Sequence, residues 1–278
     1  MFWNGSNIIM KSGKELIREI IQTDEGKESL SVWWLGQHGF VVKHRNTLLW
    51  LDPFLTPLPG RLIPPLLTPE DILAGSIIFG SHDHADHIDR PAWKRIARNQ
   101  RDVTFVVPDI LRQNLITDLN IPADKIIGID DMTQISLNSI KVTGIAAAHE
   151  LLSQDPVTRQ HHYLGFVIEI GDRTIYHSGD TCIYEGLETK LKHWHFDTAF
   201  LPINGRDAKR LKSGCIGNMT YQEAADLAGA LKPGITIPAH FDMFEGNTEN
   251  PLMFTDYTTV KYPHLRVIIP NHGERIII

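Results

Sequence analysis

Three histidines and two aspartates occupy the six positions from His82 to His87, within the stretch SHDHADHID (81–89). The apolar run SIIFG delivers the chain into it. A helix signal follows, with Asp89 placed as N-cap and Pro91 in the first turn. Such a loop constrains the fold, because alone it supplies only part of two coordination shells. The strand before it must therefore end where other donors converge. His82 and His84, two apart, can face one ion from the same side of the loop. Asp86 and His87, adjacent at the turn into the helix, can face a second.

Three further donors end apolar β runs: His149 ends VTGIAAAH, Asp180 ends TIYHSGD and His240 ends GITIPAH. Strand ends of this kind gather at one edge of a sheet. Asp180 has two oxygens and can bridge two cations. Around these points strands and helices alternate. An amphipathic helix is expected over 11–23, with Leu16, Ile17, Ile20 and Ile21 on one side. Three strands follow, ending at Asp52, and six prolines make 53–70 a loop. VTFVVP and KIIGI read as strands around the helix DILRQNLITDL. HHYLGFVIEIGDRTIYHSGDT reads as a hairpin and DTAFLPI as a strand. TYQEAADLAGALKP is a helix with Thr220 and Glu223 in capping-box spacing, and LRVIIPNHGERIII closes with β structure. This order argues for an α/β layered domain. No linker divides it, so residues 1–278 are read as one domain. An internal echo, GFVVKHRNTLLWLD (39–52) against GFVIEIGDRTIYHSGD (165–180), points to two similar halves.

The net charge of −6 and the lack of a basic stripe argue against a nucleic-acid partner. Cys182 and Cys215 are too few for a disulfide framework and fit a reducing cytosol. No apolar run reaches the roughly 18 residues that a spanning helix needs, and the N-terminus lacks an export pattern. The expected location is cytoplasmic, without a membrane partner.

With these residues in place the sequence resembles the metallo-β-lactamase superfamily. SHDHADH fits its His-x-His-x-Asp-His signature, and His149, the SGDT aspartate Asp180 and the PAH histidine His240 fall in its order. Within it, WWLGQHGFVV, SHDHADHID, IYHSGDT and MTYQEAADLAGALKPGITIPAHFDMF are similar to the L-ascorbate-6-phosphate lactonase group. At the last ligand that group has a second adjacent His where this chain has Phe241. The resemblance implies a four-layer αββα sandwich with a dinuclear site at one edge. Carried over, His82, His84 and His149 hold one divalent ion; Asp86, His87 and His240 hold the other; Asp180 bridges. The mixed His/Asp set suits Zn, Mn or Fe. It also implies self-association, as these look-alikes often show.

The chemistry so implied is hydrolysis. A metal-bridging water has its pKa lowered toward 7, and Asp86 and Asp180 position it. The expected substrate is a small anionic lactone or phosphoester. The alternatives are a phosphodiesterase acting on cyclic nucleotides or phospholipid-like diesters, and a metal-free, non-catalytic binding relative of the fold. For substrate contact the candidates are His38 in LGQHGF and Arg206 and Arg210 in the 204–218 loop, arginine being suited to a phosphate clamp. Tyr163 and Arg159 are further candidates. Asp52 could orient a ligating His or cap a turn. Asp83, Asp89 and Glu150 are read as surface or capping groups, and both cysteines as packing residues.

Overall fold

Six strands and two helices follow the first helix before the chain crosses to its second sheet. The computed structural model describes residues 10–24, 26, 29–99 and 102–278. The stretch up to residue 9, read above for an export signal, lies outside the described residues. Helix α1 (Gly13–Gln22) leads into strands β1 (Ser31–Gly36), β2 (Gly39–His44), β3 (Thr47–Leu51) and β4 (Ile77–Phe79). Helix α2 (Arg90–Asn99), β5 (Thr104–Pro108), α3 (Asp109–Leu119) and β6 (Ile126–Ile129) complete the first half. The second half holds β7 (Gln134–Leu137), β8 (Ile140–Ala146), β9 (Ala148–His149), β10 (Leu151–Leu152), β11 (Leu164–Ile170) and β12 (Arg173–His177). Then come α4 (Leu187–Leu191), β13 (Thr198–Pro202), α5 (Ala208–Lys212), α6 (Tyr221–Leu231), β14 (Ile235–Ala239), α7 (Pro251–Lys261) and β15 (Arg275–Ile277).

The first sheet runs β15-β1-β2-β3-β4-β5-β6 and the second β14-β13-β12-β11-β8-β7. Period-two alternation explains how the first sheet packs on both faces. Val32, Trp34, Phe40, Val42, Leu49, Leu51 and Phe79 join the core between the sheets. Trp33, Val41, Trp50, Ile78 and Phe105 pack outward with Leu16 and Ile20 of α1, Trp93 and Ile96 of α2, and Leu115 of α3. Phe40 meets Phe200 at 4.2 Å and Phe79 meets Phe166 at 5.2 Å between ring centroids, joining the two sheets. Leu187 and Leu191 of α4, Ala224, Leu227 and Ala228 of α6, and Phe254 of α7 cover the second sheet. The result is the expected αββα order. No helix among the described residues is long and apolar enough to cross a membrane.

The echoed segments are equivalent hairpins. β2–β3 and β11–β12 are antiparallel pairs, and each continues into two parallel strands, β4–β5 and β13–β14. Three expectations change. Ile21 is 49% exposed, because the face of α1 buries only Leu16 and Ile20. Closing β structure shrinks to β15 and one bridge between Thr236 and Val267. Helix α7 was not anticipated, although Asn250 accepts from the Leu252 N–H with Pro251 at the first position, a capping signal visible in the sequence.

Candidate metal centre

All seven donors expected from the sequence converge at one edge of the sandwich. His82 and His87 leave β4, His149 ends β9, Asp180 follows β12 and His240 follows β14. Among the described residues four groups of three have donor atoms within 4.8 Å of one another: the two expected trios His82/His84/His149 and Asp86/His87/His240, and the overlapping His82/His87/Asp180 and His38/Asp52/His87. Asp180 lies between the two expected trios. Its Oδ1 is 3.4 Å from His87 Nε2, and its Oδ2 is 3.0 Å from His240 Nε2 and 3.9 Å from His149 Nε2. The turn before it requires glycine: Gly179 has φ +57°, and a Cβ there would sit 2.4 Å from the Leu164 carbonyl oxygen. Several residues at this edge also take the left-handed region, among them Gln37, Asp52, Glu150 and His240. Such strain concentrates at functional sites.

Asp52 braces the first loop. Its carboxylate accepts from the Ser81 N–H at 2.8 Å and the Ser81 hydroxyl at 2.6 Å, and from His87 Nδ1 at 2.6 Å. That bond turns His87 Nε2 toward Asp86 and Asp180, where it is buried without a hydrogen-bond partner. An orphaned, buried imidazole nitrogen aimed at two carboxylates is what a divalent cation would satisfy. The donor set therefore fits such ions.

The trios differ electrostatically. Burial, reinforced by neighbouring imidazoles, lowers His82, His84 and His149, the last to about 4, and so favours the neutral rings that ligate. His87 and His240 are also buried, but the surrounding carboxylates outweigh burial. Asp180, Asp86 and Asp52 hold His87 well above its usual value, and Asp180 and Asp86 raise His240 to about 9. Burial opposes ionisation of Asp86 and Asp180, yet the adjacent His87 and His240 hold both carboxyls well below the usual range.

The residues expected at the substrate have other partners. His38 is fully buried behind the site, its Nδ1 3.5 Å from Asp180 Oδ1 and its ring against His177, so it does not reach the mouth. Arg206 forms a paired contact with Glu223 at 2.6 and 2.8 Å. Arg210 donates to the carbonyls of Asn204 and Thr248 and pairs with Asp207. Both arginines brace rim loops, and neither lines the cleft. Tyr163 packs its ring near His82, His84 and His149 at 5.3–6.3 Å. Asp89 does cap α2 through the Ala92 N–H, and it also accepts from Leu55 and Thr56. Asp83 pairs with Arg90 at the surface. Cys182 is buried, whereas Cys215 lines the cleft rather than only packing.

Sequence reasoning missed Gln37 and Ser81. Gln37 is fully buried, and its Nε2 donates to Asp86 Oδ2 at 2.7 Å. The signal was its place in a Gly-flanked turn beside the strand ends.

Comparison with known proteins agrees with the fold. The β-lactamase superfamily domain model matches residues 48–241. A protein from Caldivirga maquilingensis described as a UPF0173 metal-dependent hydrolase is 27% identical over 242 residues, 87% of this chain and 95% of that one. Another so described, from Thermoplasma acidophilum, is 28% identical over 230 residues, 82% and 90% of the two chains. The solved structure of Igni18, a metallo hydrolase from Ignicoccus hospitalis, is similar in fold, with a TM-score of 0.71 at 19% identity over 90% of this chain and 98% of that one.

Proposed function

We propose, from the premise that this chain belongs to the β-lactamase superfamily domain family and is a metal-dependent hydrolase of that fold, that it opens a small lactone or related carbonyl ester over Asp180. The observation that carries this reading is the meeting of two donor trios at one shared carboxylate on the floor of a cleft. The cleft has a volume of about 490 Å³, in the range of small-molecule sites. Among the described residues lining it there is no Lys or Arg. Ile216 and Phe244 are apolar, and Gly214 and Gly246 leave room. A site built mainly to grip a phosphate would present a cationic fork. The lining therefore favours a weakly charged substrate over the anionic one suggested by resemblance alone.

Divalent ions held here would supply hydroxide at neutral pH and polarise the substrate oxygen. His82, His84 and His149 would hold one ion, Asp86, His87 and His240 the other, and Asp180 both. Burial keeps the first three rings neutral, so their lone pairs are available without loss of a proton. Asp86 and Asp180 stay ionised and orient the attacking water through their Oδ atoms. Asp52 fixes the His87 ring by accepting from Nδ1. Ile216 and Phe244 shield the apolar part of the substrate from solvent.

A turnover screen of the metal-loaded protein tests this, comparing uncharged five- and six-membered lactones, a phosphorylated sugar lactone and bis(p-nitrophenyl) phosphate. The expected order is uncharged lactone first. Dominant cleavage of the diester would overturn it in favour of a phosphodiesterase.

A further inference from the structure

We infer that Gln37 is a positioning residue that sets the Asp86–His87–His240 trio, a role that rests on the two-trio reading above. The amide lies between two members of that trio, with Nε2 2.7 Å from Asp86 Oδ2 and 3.1 Å from His240 Nε2. An ionised carboxylate only accepts, so the end of the amide facing Asp86 is its NH2 group. The bond falls on Oδ2, the Asp86 oxygen that also lies 3.6 Å from His87 Nε2 and 3.5 Å from His240 Nε2, and a neutral donor fixes it there without adding a positive charge that would repel a cation. Gln37 Oε1 is buried without a partner. Burial of an unpaired amide oxygen is unfavourable, which is consistent with the side chain being kept for its donor end.

The backbone beneath this amide is bolted from several sides. Gln37 sits at φ +54°, a conformation uncommon for its residue type. Its N–H donates to Asp242 Oδ1 at 2.8 Å. Its carbonyl accepts from the His240 N–H at 2.9 Å and from Trp34 Nε1 at 3.1 Å. Asp242 is fixed in turn by His272 Nε2 at 2.6 Å, and the His272 ring stacks on Trp34 at 4.3 Å. Gly36 lets this turn close, since a Cβ there would meet the Met243 methyl at 2.9 Å. The β1–β2 turn of one sheet is thus locked to the end of β14 in the other, and the product of the lock is one amide aimed at Asp86. Among the described residues no hydrogen bond joins the Gln37 side chain to the His82/His84/His149 trio, whereas it contacts Asp86 and His240. Gln37 therefore acts on one trio only.

The test is a cobalt(II) titration of metal-free wild type and Gln37→Met, read by calorimetry and by the ligand-field absorption of each bound ion. Gln37→Met keeps the side-chain length and deletes the donor; Gln37→Leu serves if the first variant fails to fold, with circular dichroism as the check. Wild type should take two ions. The variant should bind one of them about 10- to 100-fold more weakly, the size seen for supporting partners of metal ligands, with that ion's absorption altered and the other unchanged. Two wild-type affinities in the variant, or equal weakening of both, would overturn the role of Gln37. If wild type itself takes fewer than two ions, the two-trio reading falls first and this inference with it.

Discussion

The hairpins 39–52 and 165–180 have similar sequences, take equivalent places in their sheets and end in an aspartate at the same edge, yet the two aspartates do different work. They grip one imidazole from opposite sides: Asp52 Oδ2 lies 2.6 Å from His87 Nδ1, and Asp180 Oδ1 lies 3.4 Å from His87 Nε2. Asp52 is saturated by the Ser81 N–H, the Ser81 hydroxyl and His87, and is fully buried. Asp180 faces the cleft, and its close side-chain neighbours are histidines. One scaffold copy therefore supplies a support and the other a working group. The loops that follow the next strands differ too: SHDHADH after β4 brings His82 and His87 to Asp180, whereas in the loop after β13 Asn204, Arg206 and Arg210 act as rim braces.

Substitution can break this contrast. Asp180→Ala should cost most, above the ~100-fold that bounds loss of a supporting partner, measured as kcat/KM on the best substrate of the screen; a loss no larger than that of Asp52→Asn would erase the distinction. Asp52→Asn should reduce kcat by about 10- to 100-fold with KM little changed, since it acts through the orientation of His87. A KM effect alone would place Asp52 nearer the substrate than the structure does.

The pH dependence sharpens the same contrast. Asp180 and Asp86 raise His240 from 6.5 to about 9 in the metal-free protein. The folded state then holds that proton more tightly than the unfolded chain. The resulting stabilisation is full below pH 6.5 and is lost as pH rises through about 9. The Tm of the metal-free protein should fall over that window, and that of the loaded protein, whose His240 has given up its proton to ligate, should not. Parallel curves for the two forms would contradict the assignment of His240. The smallest effect is expected at the rim. Arg206→Met removes a half-exposed ion pair with Glu223, so it should cost no more than about 1 kcal/mol in stability and leave kcat/KM unaltered. A rise in KM for charged substrates would return Arg206 to the binding site.

The donors were legible because each one follows an apolar β run, and a run of that kind fixes both the strand and the edge at which it ends. The duplicated hairpin was legible for the same reason. Contacts made across the sandwich were not. Gln37 donates to Asp86 over 49 positions and its backbone bonds to Asp242 over 205, and nothing local marks either. His38 sits next to Gln37 in sequence, but its ring packs on His177 behind Asp180, and nothing local separates the two roles. Arg206 and Arg210 form a charge run after a strand, which reads alike whether it clamps a ligand or braces a loop. Helix α7 carries Thr258, Thr259 and Val260 in succession, β-branched residues that weaken a helix signal.

The central claim is that Asp180 serves two ion sites while its counterpart Asp52 only supports one ligand. Zinc titration of metal-free Asp180→Asn beside Asp52→Asn, with bound metal counted after gel filtration, addresses it most directly. The account predicts that Asp52→Asn retains two ions, one of them more weakly, and that Asp180→Asn loses tight binding of both. Retention of both ions by Asp180→Asn at wild-type affinity would contradict it.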